Sequence, residues 1–174
     1  MFRSGAIYSP TARLSKGDGA VSCAPDFEGG CVATTVMDSG EFAGWTTWAE
    51  EPFEHETAGP FYFRIDANGP VAAFRVARKH MNAGGVVHGG CLMTFADFAL
   101  FAIGHEAMEG EYGVTVAFTA EFLSGALEGE RLEARGEVLR KGGSLSFVRG
   151  LISTDDGRAV LNFSGTIKRR RKQS

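Results

Sequence analysis

The sequence predicts an α+β fold, an antiparallel sheet of about six strands wrapped around one long central helix. Three observations carry that expectation. Only one stretch, "HGGCLMTFADFALFAIG" from His88 to Gly104, is long enough for a helix and apolar on nearly every side, so it must be enclosed. β-rich runs flank it, two before and four after. Short turns join these runs, which makes consecutive strands antiparallel neighbours and leaves too few helices for a doubly wound sheet.

In chain order, residues 1–40 are rich in Gly, Ser, Ala and Thr, contain "KGDGAVSCAPDFEGG" and show no sustained periodicity. They read as a flexible or disordered extension before a domain over 41–168. Met37 offers an internal start, which N-terminal sequencing of the native protein tests. "FYFRID" alternates, "ANGP" turns and "VAAFRVA" returns as a second strand. After the helix, "YGVTVAFTAEFL" places Val114, Val116, Phe118, Ala120 and Phe122 on one face at period two, with Thr115, Thr119 and Glu121 on the other. "ERLEARGEVLRK" and "SLSFVRGLIST" follow, joined through Gly142 and Gly143, and "RAVLNFSGTIK" follows the turn Asp155, Asp156, Gly157. Lys168, Arg169, Arg170, Arg171 and Lys172 form a basic run; residues 169–174 read as a solvated tail.

A chain of 174 residues with 44% hydrophobic content fits one domain with a real core, and its net charge of -3 argues against a nucleic-acid binder. Cys23, Cys31 and Cys91 form neither a CxxC pair nor an even framework, so disulfides and a cysteine zinc site are not expected and a reducing cytoplasm fits. The apolar run Cys91 to Ile103, interrupted by Asp97, falls short of the roughly 20 residues that span a bilayer, so no membrane partner is expected. No long apolar segment follows the first charges, so no secretory leader is expected either. His80, His88, His105, Asp97 and Glu106 lack HxxxH or HExxH spacing, and no GxxxxGK[ST] or GxSxG pattern is present; no metal is expected.

Asp97 stands out among Leu92, Met93, Phe95, Phe98, Leu100 and Phe101, because an ionised carboxylate taken from water costs several kcal/mol. Either it lies on a thin polar seam with Thr94 or pairs with a nearby Arg, or it is used. Gly89 and Gly90 open the helix, where the first N–H groups lack intrahelical partners and the macrodipole places about half a positive charge. A carbonyl oxygen gaining negative charge is stabilised there, unless the pair serves only as a tight lead into the helix. Gly89 and Asp97 are eight residues apart, about 12 Å along a helix. To act on one substrate they must come from two chains, with antiparallel helices in a twofold dimer.

Beyond these readings, "NAGGVVHGGCLMTFAD" resembles the HGG motif of hotdog-fold thioesterases of the phenylacetic-acid-degradation (PaaI-type) branch. Asn82 lies six residues before His88 and Asp97 nine after it, as in that pattern, and the likeness runs over about residues 60–168. The resemblance implies hydrolysis of an acyl-CoA thioester without metal or cofactor, coenzyme A being part of the substrate. Asp97 acts as general base or as nucleophile, and Gly89 N–H polarises the carbonyl. Asn82 orients the carbonyl or the water, His88 holds the loop, and Gly90 permits close approach. The resemblance also places Thr115 where a hydroxyl orients the water, although alternation alone points it away from the apolar face. Arg140, Lys141, Gly142, Gly143 and Ser144 are the candidates for the phosphates of CoA. A homodimer is the minimum assembly, a tetramer as a dimer of dimers the larger one. Phe95, Phe98, Phe101, Phe118 and Phe122 are expected as core, with an aryl or medium-chain acyl pocket as their other use.

Two alternatives stand beside hydrolysis. A hotdog protein that binds acyl-CoA or a small apolar ligand without turnover needs no carboxylate, and Asp97 with Asn82 argues against it. A hydratase acting on enoyl-CoA places its His and Asp differently.

Overall fold

"FYFRID" and "VAAFRVA" form the expected hairpin. Its turn closes between Asp66 and Gly69, where Asn68 N–H donates to Asp66 Oδ1 at 2.8 Å and Gly69 takes a φ of 98° that favours glycine. The computed structural model describes residues 22–25, 31–108 and 112–170. Its strands are β1 (Ser22–Pro25), β2 (Cys31–Val36), β3 (Thr46–Trp48), β4 (Tyr62–Asp66), β5 (Gly69–Arg75), β6 (Tyr112–Phe122), β7 (Arg131–Lys141), β8 (Leu145–Thr154) and β9 (Ala159–Arg170). They form one antiparallel sheet in the order β1-β2-β3-β4-β5-β7-β8-β9-β6. The helix α1 (Gly89–Met108) follows β5 and packs on β5, β7, β8, β9 and β6, while short helical turns occupy Pro52–Thr57 and Arg78–His80.

Among the described residues the sheet has nine strands where about six were expected. The expected ones are β4 to β9; β1 to β3 are the addition. Two of these lie in the segment read as a flexible extension, and the boundary drawn after residue 40 cuts the hairpin between β2 and β3. There Met37 N–H donates to Trp45 O and Gly44 N–H to Met37 O, both at 2.8 Å. "CVATTV" has the β-branched content of a strand, but its Gly-, Ser- and Asp-rich flanks hide it. A chain starting at Met37 would lack β1 and β2. The rest of the extension, residues 1–21 and 26–30, lies outside the described residues.

At the other end, Arg169 and Arg170 belong to β9 and not to a tail. Arg169 is buried, and its Nη2 donates to Gly142 O at 2.6 Å and Gly143 O at 2.9 Å. A guanidinium can end a strand inside the fold when carbonyls accept its protons, which a charge count along the chain does not register. Residues 171–174 lie outside the described residues.

α1 is enclosed because its sides meet both hairpin and sheet. Phe95 and Phe98 join Phe61 and Phe74 in a ring cluster, with Phe74 and Phe95 4.7 Å apart at 64°. Gly165 of β9 lets the helix approach, since a Cβ there would fall 2.3 Å from Leu100 Cδ1. Counted over its 20 residues, α1 is long and apolar enough to cross a membrane by length and composition, more than the run Cys91 to Ile103 suggested. Most of it is buried within the fold. Gly90, Met93, Asp97, Phe101 and His105, each exposed or partly exposed, recur at helical spacing along one seam.

Candidate active site

The loop before α1 organises itself. Asn82 Oδ1 accepts Gly84 N–H at 2.8 Å and Val86 N–H at 3.3 Å, and Asn82 N–H donates to Val86 O. His88 N–H donates to the carbonyl of the buried His80 at 2.8 Å. His88 then caps the helix: its Nδ1 accepts Gly90 N–H at 2.9 Å, and its carbonyl accepts the N–H groups of Cys91 and Leu92. Gly89 N–H is the first-turn donor without a partner among the described residues, half-exposed, with Phe122 beside its α-carbon. Cys91, a free thiol next in sequence to Gly90, is pushed up to about 11 by burial and is no thiolate near neutrality.

Asp97 lies two turns further along α1. Thr115 Oγ1 donates to its Oδ1 at 2.6 Å, leaving the second carboxylate oxygen without a partner among the described residues. Burial raises Asp97 above the usual carboxylate range, and the Thr115 hydrogen bond opposes that rise. The two residues line a cavity of about 490 Å³ with Trp48, Phe53, Glu54, Phe101 and other residues of β3, the Pro52–Thr57 turn, α1 and β6. Such a group can take a proton from a water, or attack, inside a largely apolar wall.

Thr115 reaches Asp97 through a β-bulge. β6 pairs with β9 through Thr115 and Ile167, then through Ala117 and Thr166, so Val116 is the extra residue and stands 51% exposed. Strict alternation put Val116 inward and Thr115 outward; the bulge exchanges them within one chain. Phe101 lines the cavity, and Phe122 is exposed against Gly89 where core was expected, because β6 forms an edge of the sheet.

The candidate residues therefore fall into three groups. Asn82, His88, Gly89 and Gly90 stand at the start of α1, and Asp97 with Thr115 in the cavity. Arg140, Gly142, Gly143 and Ser144 line a separate surface hollow at the β7–β8 turn beside Lys141. Val114 pairs with Lys168 and Lys168 with Leu145, so this turn stands two strands, about 10 Å, from the strand bearing Thr115. Sequence reasoning missed Trp48, Glu51, Phe53 and Glu54. Their signal was an aromatic and acidic cluster, "WAEEPFE", just before the first recognised strand.

Residues 84–161 match the thioesterase superfamily. A proposed esterase of Pseudomonas aeruginosa is 35% identical over 109 residues, 62% of this chain and 81% of that protein. The chain belongs to the thioesterase superfamily. Among solved structures, the E. coli PaaI protein of the phenylacetic acid degradation operon superposes with a TM-score of 0.58 at 23% identity, over 66% of this chain and 86% of that one. A hypothetical thioesterase of Streptococcus pneumoniae, solved with coenzyme A, gives 0.58 at 22% identity, over 70% and 95%. The fold of this thioesterase is thus the hotdog fold implied by the resemblance, and its chemistry is thioester hydrolysis. The cavity wall formed by β3 and the Pro52–Thr57 turn precedes the matched residues entirely.

Proposed function

We propose that this thioesterase hydrolyses an acyl-CoA at a site shared between two copies of the chain, Asp97 from one meeting the first α1 amide of the other. The observation that carries the proposal is the Thr115-held carboxylate of Asp97 in its cavity, with a Gly89 N–H that has no partner among the described residues at the start of the same helix. Asp97 pairs with the Thr115 region of β6 and Gly89 with Phe122, so within one chain the two groups are separated along the strand as well as the helix. An antiparallel partner helix would bring them together. The seam of α1 from Gly90 to His105 lies beside edge strand β6, whose Phe122 is exposed next to Gly89, where the second copy would meet it.

In the general-base route, water attacks the carbonyl carbon, Asp97 takes its proton, the C–S bond breaks and the CoA thiolate regains a proton. In the nucleophilic route, Asp97 attacks the carbonyl carbon and the C–S bond breaks to release the CoA thiolate, which takes up a proton; water then opens the mixed anhydride, freeing the acid and restoring the Asp97 carboxylate. Either way Gly89 N–H stabilises the carbonyl oxygen. Asn82, with its amide N–H groups unengaged among the described residues, orients the carbonyl or the water. Gly90 permits close approach, and His88 keeps the amide turned outward. Arg140, Lys141, Gly142, Gly143 and Ser144 receive the CoA phosphates. No metal or further cofactor enters.

A panel of aryl, short-chain and medium-chain acyl-CoAs assayed for thiol release tests the proposal, with turnover of at least one class expected. Tight binding without thiol release throughout would establish the non-catalytic binder instead.

A further inference from the structure

Glu54, in the Pro52–Thr57 turn, brings a second carboxyl into the cavity that holds Asp97. Thr115 holds Asp97, but no described residue donates a hydrogen bond to Glu54. Burial, then the charge of Asp97, then that of Glu51 push the Glu54 carboxyl up to about 8. The other titratable groups that line the cavity are Glu51, which opens the turn, His105 of α1 and Tyr112 of β6. His55 of the same turn is engaged with Thr47 Oγ1, and Lys79 donates to Thr57 O at the turn's far end. No Lys or Arg lines the cavity among the described residues.

Thioester hydrolysis builds new negative charge in this space, first on the carbonyl oxygen and then on the product carboxylate. We propose that Glu54 is a positioning residue of the Asp97 site: sharing a cavity that no Lys or Arg lines among the described residues, it leaves Asp97 the one anion of that pair during turnover, and a charge on Glu54 opposes the reaction. The inference rests on the thioesterase reading above. Glu54 makes and breaks no bond to substrate; it acts through the charge of the cavity, and most of the wall that carries it lies outside the matched superfamily residues.

The test is kcat/KM for an acyl-CoA with an uncharged acyl group between pH 6 and 9.5, corrected for spontaneous hydrolysis. The wild type should fall about tenfold between pH 7 and pH 9, whereas Glu54→Gln, neutral throughout, should hold its pH 7 value over that range. An unchanged alkaline fall in Glu54→Gln, or a loss of equal size at every pH, overturns the proposal. Carboxyl ¹³C NMR supplies a readout independent of turnover. One Glu signal should titrate near pH 8, vanish in Glu54→Gln and move to lower pH in Asp97→Asn; titration in the ordinary Glu range overturns the proposal. Should no acyl-CoA be cleaved while that signal behaves as expected, the thioesterase reading falls, and the role of Glu54 in turnover with it.

Discussion

The start of α1 and its middle are built on opposite principles. At the start, Asn82 and His88 spend their side chains on backbone N–H groups two to four residues away, so the loop shapes itself. In the middle, Asp97 takes its hydrogen bond from a hydroxyl 18 residues distant, across a bulge in the edge strand. Local hydrogen bonding thus frees one amide, while a tertiary contact sets one anion. Each is half of the proposed site, and neither reaches the other within a chain.

Asp97→Asn breaks the middle most severely. Thiol release should fall about 10²- to 10⁴-fold while acyl-CoA binding survives. Burial lifts the folded-state carboxyl above its unfolded value, so its stabilisation is complete only below the unfolded range and is lost as pH rises through the folded one. Asn removes that loss, and the melting temperature at pH 7 should stay level or rise. Undiminished turnover would discard Asp97 as the reacting group.

Gly89→Pro tests the start, because proline suits the first helical position and removes the amide donor, while the Cβ it adds is shared with alanine. A fall of about 10²- to 10³-fold is expected, against a small one for Gly89→Ala, which keeps the N–H and presses on Phe122 at 3.2 Å. Equal losses in both would assign the defect to packing. Reassembling Asp97→Asn with Gly89→Pro subunits joins the two ends: half the dimers are mixed and each carries one intact site, so about a quarter of wild-type activity should return. No recovery from verified mixed dimers would place both groups in one chain.

Thr115→Val removes the hydrogen bond that opposes burial. Asp97 then titrates higher, the acidic limb of the rate profile moves to higher pH, and turnover falls roughly tenfold or more. A limb that stays put would deny Thr115 its hold on the carboxylate. The smallest effect belongs to Val116→Ser, within about 0.5 kcal/mol by denaturant melt because the bulge has turned that side chain to solvent. A loss of core size there would restore simple alternation and remove the bulge from the account.

How far the sequence was legible follows the same division. The capped helix start and the hairpins around Gly69 and Gly157 rest on interactions within a few residues, and the enclosure of Phe95 and Phe98 follows from apolar periodicity. Val116 and Thr115 were exchanged because one unpaired residue reverses every alternation beyond it. Arg169 was taken for tail because its acceptors, Gly142 and Gly143, stand on another hairpin. β2 was passed over because strand propensity in six residues is weak until a neighbour supplies the ladder.

By itself the sequence determined that one apolar helix must be wrapped by antiparallel strands, that its first turn offers amides, and that its carboxylate stands too far along to meet them. Those conclusions need only period, spacing and the rise of a helix. Only the tertiary structure decided which hydroxyl holds Asp97 and which wall faces it, bringing Glu54 into the same cavity. Such contacts join residues distant along the chain, and their geometry exists only once the sheet has closed around the helix.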